Sequence, residues 1–296
     1  QFIALPEQAG SRTYWPVSVS AGAIYDLDSQ HHMSAAVTRA ERAPSLEQLY
    51  AFGRHAAAGT FEVGDTRLGK ERYLNLEVGI DRHVGQFRYD ASVFYNRVDD
   101  FIFLQSDDDG TGEPVFVNDI GNRAGEGATV DCLPGDGGLC RLRNQLVFNE
   151  QRNAEFYGAE VGAIADILTG PTSLALRFSA DHVRGKLRNG GDLPRITPTR
   201  AGMGVDVGFA NASLSADYRR VFKQSNTAQA EDSTDGFNLL SFDINWRPTG
   251  FAGAELFVRA RNLLNEDGRL HQSFFRDDAP IIGRSFMGGV RFDLGG

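Results

Sequence analysis

The stretch that decides the fold is Gly283-Arg284-Ser285-Phe286-Met287-Gly288-Gly289-Val290-Arg291-Phe292-Asp293-Leu294. Phe286, Gly288, Val290, Phe292 and Leu294 fall on one side of it, and Ser285, Met287, Gly289, Arg291 and Asp293 on the other. A period of two with an apolar and a polar side is the signature of a β-strand. The pattern returns through the chain, so the question is which solvent each face meets.

Working back from this stretch, the same alternation predicts strands at Thr13–Tyr25, His32–Arg42, Arg72–His83, Phe87–Asn96 with an extension over Phe101–Gln105, and Leu146–Ile167. Further strands follow at Ser173–Lys186, Thr199–Phe209 and Ala212–Lys223, then around Leu240–Trp246 and Leu256–Ala260. With the closing stretch this makes eleven. Short turns of about 2–6 residues alternate with long gaps of about 12–40, the pattern of an up-and-down barrel with short periplasmic turns and long extracellular loops. A soluble sandwich or propeller leaves that alternation without a reason. The fold class expected is therefore all-β, a transmembrane antiparallel up-and-down β-barrel whose apolar faces meet outer-membrane lipid and whose charged faces line the lumen. The gaps at 43–71 and 106–145 are expected to be loops. An odd number of strands does not close in the usual even-stranded way, so residues 1–296 are expected to be the C-terminal portion of a larger barrel.

Composition agrees. The chain of 296 residues has 41% hydrophobic residues, 34 Gly and 21 Phe against 3 Met, which suits turns and aromatic-rich strands rather than a helical bundle. No apolar run is long enough for a transmembrane helix. The net charge of −9 excludes the basic stripe that a nucleic-acid partner requires. Gln1 opens onto Phe2-Ile3-Ala4-Leu5 with no basic or cleavage region, so a mature or truncated N-terminus is expected. Cys132 and Cys140 lie close together in one long loop, and an export route through an oxidising compartment makes a disulfide between them the expectation. Asp107-Asp108-Asp109-Gly110 lacks the spacing of an EF-hand and reads as a solvated acidic loop. No Gly-x-Ser-x-Gly elbow, His-Glu-x-x-His pair or phosphate loop is present, so no catalytic residue is assigned. A barrel enzyme with its site at the rim and a passive porin are the alternatives from other classes.

Several motifs carry a family resemblance. Glu41-Arg42-Ala43-Pro44-Ser45-Leu46-Glu47-Gln48-Leu49-Tyr50, then Gly53-Arg54-His55, Gly59-Thr60-Phe61-Glu62-Val63-Gly64-Asp65 and Glu71, resemble a mid-barrel loop of TonB-dependent outer-membrane receptors. Phe94-Tyr95-Asn96 with Asp99-Asp100-Phe101-Ile102, Phe156-Tyr157-Gly158-Ala159-Glu160, Asn262-Leu263-Leu264-Asn265 and Gly283-Arg284-Ser285-Phe286 are similar too. The resemblance implies a 22-stranded barrel, of which about 11 strands are here, and an N-terminal plug through which the TonB complex acts. The plug and the first barrel half are expected to be absent from this chain.

The segment from Tyr50 to Glu62 and the loop before Pro280 resemble the branch of the family that includes zinc-uptake receptors. That resemblance makes His55, Glu62, Asp65, His271, Asp277 and Asp278 the candidate substrate-binding residues on the extracellular side, with His55 and His271 as metal ligands. Imidazole and carboxylate suit Zn²⁺ as a transported ion, no resident cofactor being expected. Phe52, Arg54, Phe274, Phe275 and Arg276 would equally suit an anionic ferric siderophore. His31, His32 and His83 fall at periplasmic turns and are set aside as substrate ligands.

Overall fold

Alternating side chains give each strand an apolar face, and neighbouring strands have to pair its backbone N–H and C=O groups wherever water is excluded. A computed structural model describes residues 12–107, 114–117, 144–229, 231–251, 253–276 and 279–292. Within them the chain forms β1 (Val19–Asp26), β2 (His32–Arg42), the short helix α1 (Leu46–Tyr50), β3 (Phe52–His55), β4 (Thr60–Val63), β5 (Glu71–Arg82) and β6 (Phe87–Ser106). Then come β7 (Phe116–Val117), β8 (Asn144–Leu168), β9 (Ser173–Leu187), β10 (Arg200–Gly208) and β11 (Ala212–Val221). β12 (Phe237–Trp246), β13 (Ala254–Arg261) and β14 (Ser285–Phe292) complete the wall. The order β1-β2-β5-β6-β8-β9-β10-β11-β12-β13-β14 is an uninterrupted antiparallel meander of eleven strands, with β3, β4 and β7 off the path. All eleven expected strands are present, β2 with the bounds read from the sequence.

The register shows the two faces. Ile80 pairs with Ala91, Ala91 with Val161, and Val161 with Ala180, a row of apolar side chains on the outer face. The opposite face carries ion pairs: Arg177 to Asp206 at 2.6 Å, Arg261 to Asp243 at 2.8 Å and Arg291 to Glu255 at 3.1 Å. Val93, Phe178, Met203, Trp246 and Phe286 are exposed on the outer face, as lipid-facing residues are when no lipid is counted. Gly85 takes a positive φ of 84°, which lets the β5–β6 connection turn within four residues.

Apolar burial is concentrated at the long-loop end. β6 and β8 run on past the wall, with a bulge between Val98 and Phe101 where Asp100 has φ 61°. The bulge turns Phe103 inward against Ala154, Leu187 and Leu193. A second cluster joins Phe61, Val63, Val115, Val117 and Leu146. β4 there pairs in parallel with β8, so the hairpin is stitched to the wall.

The gap at 43–71 is therefore not plain loop. Ser45 caps α1, its Oγ accepting from the Gln48 N–H at 3.2 Å while Gln48 Oε1 accepts from the Ser45 N–H at 2.9 Å. This reciprocal capping box satisfies two N–H groups that a helix start leaves free. Leu49 from the same helix packs with Leu68 and Ile102. Gly64 permits the approach, because a Cβ there would lie 2.6 Å from the Leu49 carbonyl carbon. The hairpin β3–β4 follows, its Phe52 and Phe61 rings edge to face at 5.2 Å. Composition hides all of this, whereas the Ser-x-x-Gln spacing signals the helix start.

Candidate functional site

Chemistry collects where the long connections meet. The β3–β4 hairpin presents His55, whose Nδ1 is 2.8 Å from Glu62 Oε1, and the Thr60 hydroxyl donates to the same carboxylate oxygen at 3.1 Å. Across from it, the β13–β14 loop supplies Phe274, whose ring centroid is 6.1 Å from that of His55.

The β11–β12 loop adds Glu231, almost wholly buried. Its Oε1 accepts from the Arg195 N–H at 2.9 Å and its Oε2 from the Ala228 N–H at 3.0 Å. His271, fully buried, places Nε2 at 3.3 Å from Glu231 Oε1, close enough to pair but outside hydrogen-bond alignment. Its Nδ1 meets the Thr234 hydroxyl at 3.0 Å and Arg276 Nη1 at 3.4 Å. Arginine has only donors, so that contact makes Nδ1 the acceptor and puts the proton of neutral His271 on Nε2, toward Glu231. Burial by itself pushes the Glu231 carboxyl up. The His271 contact and the two backbone N–H groups outweigh that and hold it below the usual glutamate range. Arg276 donates to the Asp232 carbonyl at 3.0 Å, fixing the last loop to the β11–β12 loop.

Arg195, in the β9–β10 loop, stands apart. Its backbone has φ 58°, a left-handed conformation uncommon outside glycine and asparagine. Its guanidinium lies 3.5 Å above the Phe274 ring, and among the described residues no carboxylate is within ion-pairing distance. Burial lowers its pKa from the ordinary arginine value, with Glu231 and Glu62 opposing from farther off. Its guanidinium donors make no hydrogen bond to the described residues and are open to an anionic group arriving in the cavity.

Thr60, Arg195, Glu231, His271, Phe274 and Arg276 line one cavity of about 140 Å³ together with Gln105 and Gln145, while His55 and Glu62 stand outside it. It draws on the hairpin, the extensions of β6 and β8, and three long loops. At that size it admits a small ion or one edge of a larger ligand, which the polar lining can hold by charge-assisted and amide hydrogen bonds with Phe274 as an apolar shelf.

Of the residues singled out from sequence, His55 with Glu62 and His271 with Glu231 form two separate pairs. Among the described residues no three His, Cys, Asp or Glu side chains converge as a metal site. Asp65 is turned elsewhere. It accepts from the Arg67 N–H at 2.8 Å and pairs with the Arg67 guanidinium at 3.0 Å, which lowers its pKa, and it does not line the cavity. Asp277, Asp278, Cys132 and Cys140 lie outside the described residues. Sequence reasoning passed over Arg195, Glu231 and Thr234, which sit in polar gaps and are made special only by groups from other loops.

The long-loop architecture matches a known sequence family. A family model described as "TonB dependent receptor-like, beta-barrel" matches residues 2–263. The chain belongs to this family. The TonB-dependent receptors are outer-membrane transport barrels and not enzymes, so the exposed apolar faces of this receptor chain lie in the outer membrane. No helix among the described residues is long and apolar enough to cross a membrane, and the strands do the crossing.

Solved structures share the fold. The copper transporter OprC superposes with a TM-score of 0.67 at 19% identity, over 92% of this chain and 39% of that one. The FrpB iron transporter from Neisseria meningitidis (F3-3 variant) gives 0.61 at 17%, over 93% and 39%. The siderophore receptor PirA from Acinetobacter baumannii gives 0.61 at 14%, over 93% and 40%. The receptor chain thus spans about two fifths of the length of these proteins. At such identities the likeness speaks for the fold alone.

The family motifs now have physical roles. Glu71, fully buried, accepts from Arg42 Nε, from the Tyr73 hydroxyl at 2.7 Å and from the Ile102 N–H at 2.7 Å, tying three strands together under the loops. Asn262 and Asn265 take positive φ values of 47° and 56°. The Asn262 amide donates to the Glu266 and Ile282 carbonyls at 2.9 and 3.0 Å, which closes the loop carrying His271 and Phe274.

Proposed function

We propose that this chain is the C-terminal barrel half of a receptor for TonB-dependent active uptake of a metal-containing nutrient, with the plug, the first barrel half and the TonB complex supplied outside residues 1–296. The substrate reading supported best is an anionic metal chelate of the ferric-siderophore kind. The observation that carries it is the Arg195 guanidinium, laid on Phe274 at the cavity without a carboxylate partner among the described residues. An anionic chelate supplies that missing charge, and Gln105, Gln145 and Arg276 line the same space. The names of relatives that carry copper, iron and siderophores agree with a metal cargo.

A second reading, uptake of zinc or another bare metal ion, is supported by the two imidazole–carboxylate pairs, His55 with Glu62 and His271 with Glu231. Asp277 and Asp278 are the further ligands that reading calls on, Asp65 being engaged with Arg67.

Growth of a strain lacking the intact receptor, under iron limitation and separately under zinc limitation, tests both. Rescue by the receptor under iron limitation supports the chelate, and rescue under zinc limitation supports the bare ion. Rescue under neither overturns metal uptake.

A further inference from the structure

The cavity in the long loops leaves unexplained a second recess, on the opposite side of the wall. Its rows are set by strand register. In one row, Ile80, Ala91, Val161 and Ala180 stand side by side on the outer face. Two residues nearer the long loops come Val78, Val93, Ala159 and His182. Ala91, Ala159 and Ala180 end at Cβ between larger neighbours, and the wall is recessed there into an apolar groove of about 510 Å³. His182 sits at its upper end, its Nδ1 2.7 Å from the Thr199 hydroxyl.

The next row toward the loops is Leu76, Tyr95, Tyr157 and Arg184, and the one above it Leu74, Arg97, Glu155 and Lys186. Tyrosines facing outward at the top of an apolar wall mark the level of lipid head groups. From Ala180 to Arg184 the strand rises about 13 Å at roughly 3.3 Å per residue. Four cations, Arg97, Arg184, Lys186 and Arg188, therefore stand just above the groove.

Three carboxylates stand among them. Asp99 is 3.1 Å from both Arg97 and Arg188, Glu155 is 2.9 Å from Lys186 and also accepts from the Tyr95 hydroxyl at 3.0 Å, and Asp192 is 2.7 Å from Arg184. Sharing Asp99 leaves the guanidinium donors in surplus, and the site is net positive in a chain of net charge −9. Surplus N–H donors above an alanine groove are complementary to a phosphate above an acyl chain.

We propose that this outer face, on β5, β6, β8 and β9, is a specific docking site for one phosphorylated, acylated lipid of the outer leaflet. An acyl chain lies along Ala91, Ala159 and Ala180, and a head-group phosphate rests on Arg97, Arg184, Lys186 and Arg188. The lipid would brace β6 and β8, whose extensions carry Gln105 and Gln145 to the substrate cavity, so it couples the membrane to the loop site.

The test uses the full-length receptor in nanodiscs, with bound lipid read by native mass spectrometry after adding purified lipid A, dephosphorylated lipid A or phosphatidylethanolamine. The expected result is retention of lipid A and at least tenfold less of the other two. Arg184→Glu with Lys186→Glu is expected to lower lipid A retention about tenfold, and Ala159→Phe with Ala180→Phe to do the same by filling the groove. Heat-modifiable migration on gels reports that each variant has a folded barrel. Equal retention of lipid A and its dephosphorylated form, or of phosphatidylethanolamine, overturns the proposal. The lipid series on the unaltered protein decides the matter if the variants do not fold.

Discussion

Arg195 concentrates the chemistry of the loop end in one residue. Its left-handed backbone is strained for a non-glycine residue, and its side chain is held between an aromatic ring and a cavity. If an anionic chelate completes it, Arg195→Ala weakens substrate binding to the intact receptor by about tenfold or more, because a hydrogen bond to a charged group contributes about 1.5–3 kcal/mol. Arg195→Lys keeps the charge but loses the planar stacking, so it is expected to fall between. Titration calorimetry with the chelate reads both, and unchanged affinity for Arg195→Ala removes the residue from the site. Glu231 offers a pH test. Its folded-state pKa is depressed, so its contribution is present above the unfolded value, about 4.3, and is lost as pH falls through the lower folded value. The packing of the β11–β12 loop, read by hydrogen exchange at the Ala228 and Arg195 amides, is expected to hold from pH 7 to about 4.3 and to loosen in stronger acid, and Glu231→Gln to flatten that acid limb. An acid limb that persists in the glutamine variant assigns it to another group.

At the scale of the element, the inserted segment between β2 and β5 behaves as a small folded unit. Gly64→Ala forces a Cβ into the Leu49 backbone and is expected to cost about 1–3 kcal/mol of local stability, seen as faster proteolytic cleavage within residues 43–70. An unchanged cleavage rate would show that α1 and Gly64 can separate freely. Beneath that segment, Glu71→Ala leaves Arg42 and the Ile102 N–H without their acceptor. Arg42 is half exposed and water can take it up, so the loss is chiefly the buried Ile102 N–H left without an acceptor, about 1–3 kcal/mol. Hydrogen exchange at Ile102 is expected to quicken while the amides of β12 and β13 keep their protection, since β5 and β12 share no contact through this node.

For the whole molecule, the sign of each face is the testable quantity. Val93 points outward one row below the Tyr95 level, and Val93→Arg is expected to destabilise the membrane-inserted receptor by about 1–2 kcal/mol, between the interface and midplane costs. Its neighbour Ser92 faces the opposite way, so Ser92→Arg is expected to cost far less. Urea unfolding of the full receptor from liposomes compares them, and equal losses would mean that the face assignment is inverted.

How far the sequence could be read divides along the same scales. Strand positions were legible because alternation is a local signal, repeated along every strand from His32–Arg42 to Ser285–Phe292. Connection lengths then chose a membrane barrel over a soluble sandwich, because only a barrel has a reason to keep short turns at one end and long loops at the other. The capping box at Ser45 was equally local, yet it was hidden in a polar composition. Arg195, Glu231 and Thr234 were not legible. Glu231 is held by a backbone N–H from its own loop, a backbone N–H from a second and an imidazole from a third, and no short-range pattern encodes that meeting. The separation of His55 and His271 into two pairs was likewise decided by how the hairpin and the last loop pack around Phe274. The sequence by itself determined the strands, their two faces and the barrel they build, because periodicity is set residue by residue. Only the tertiary structure decided which loop side chains share a cavity, because that depends on contacts between segments far apart in the chain.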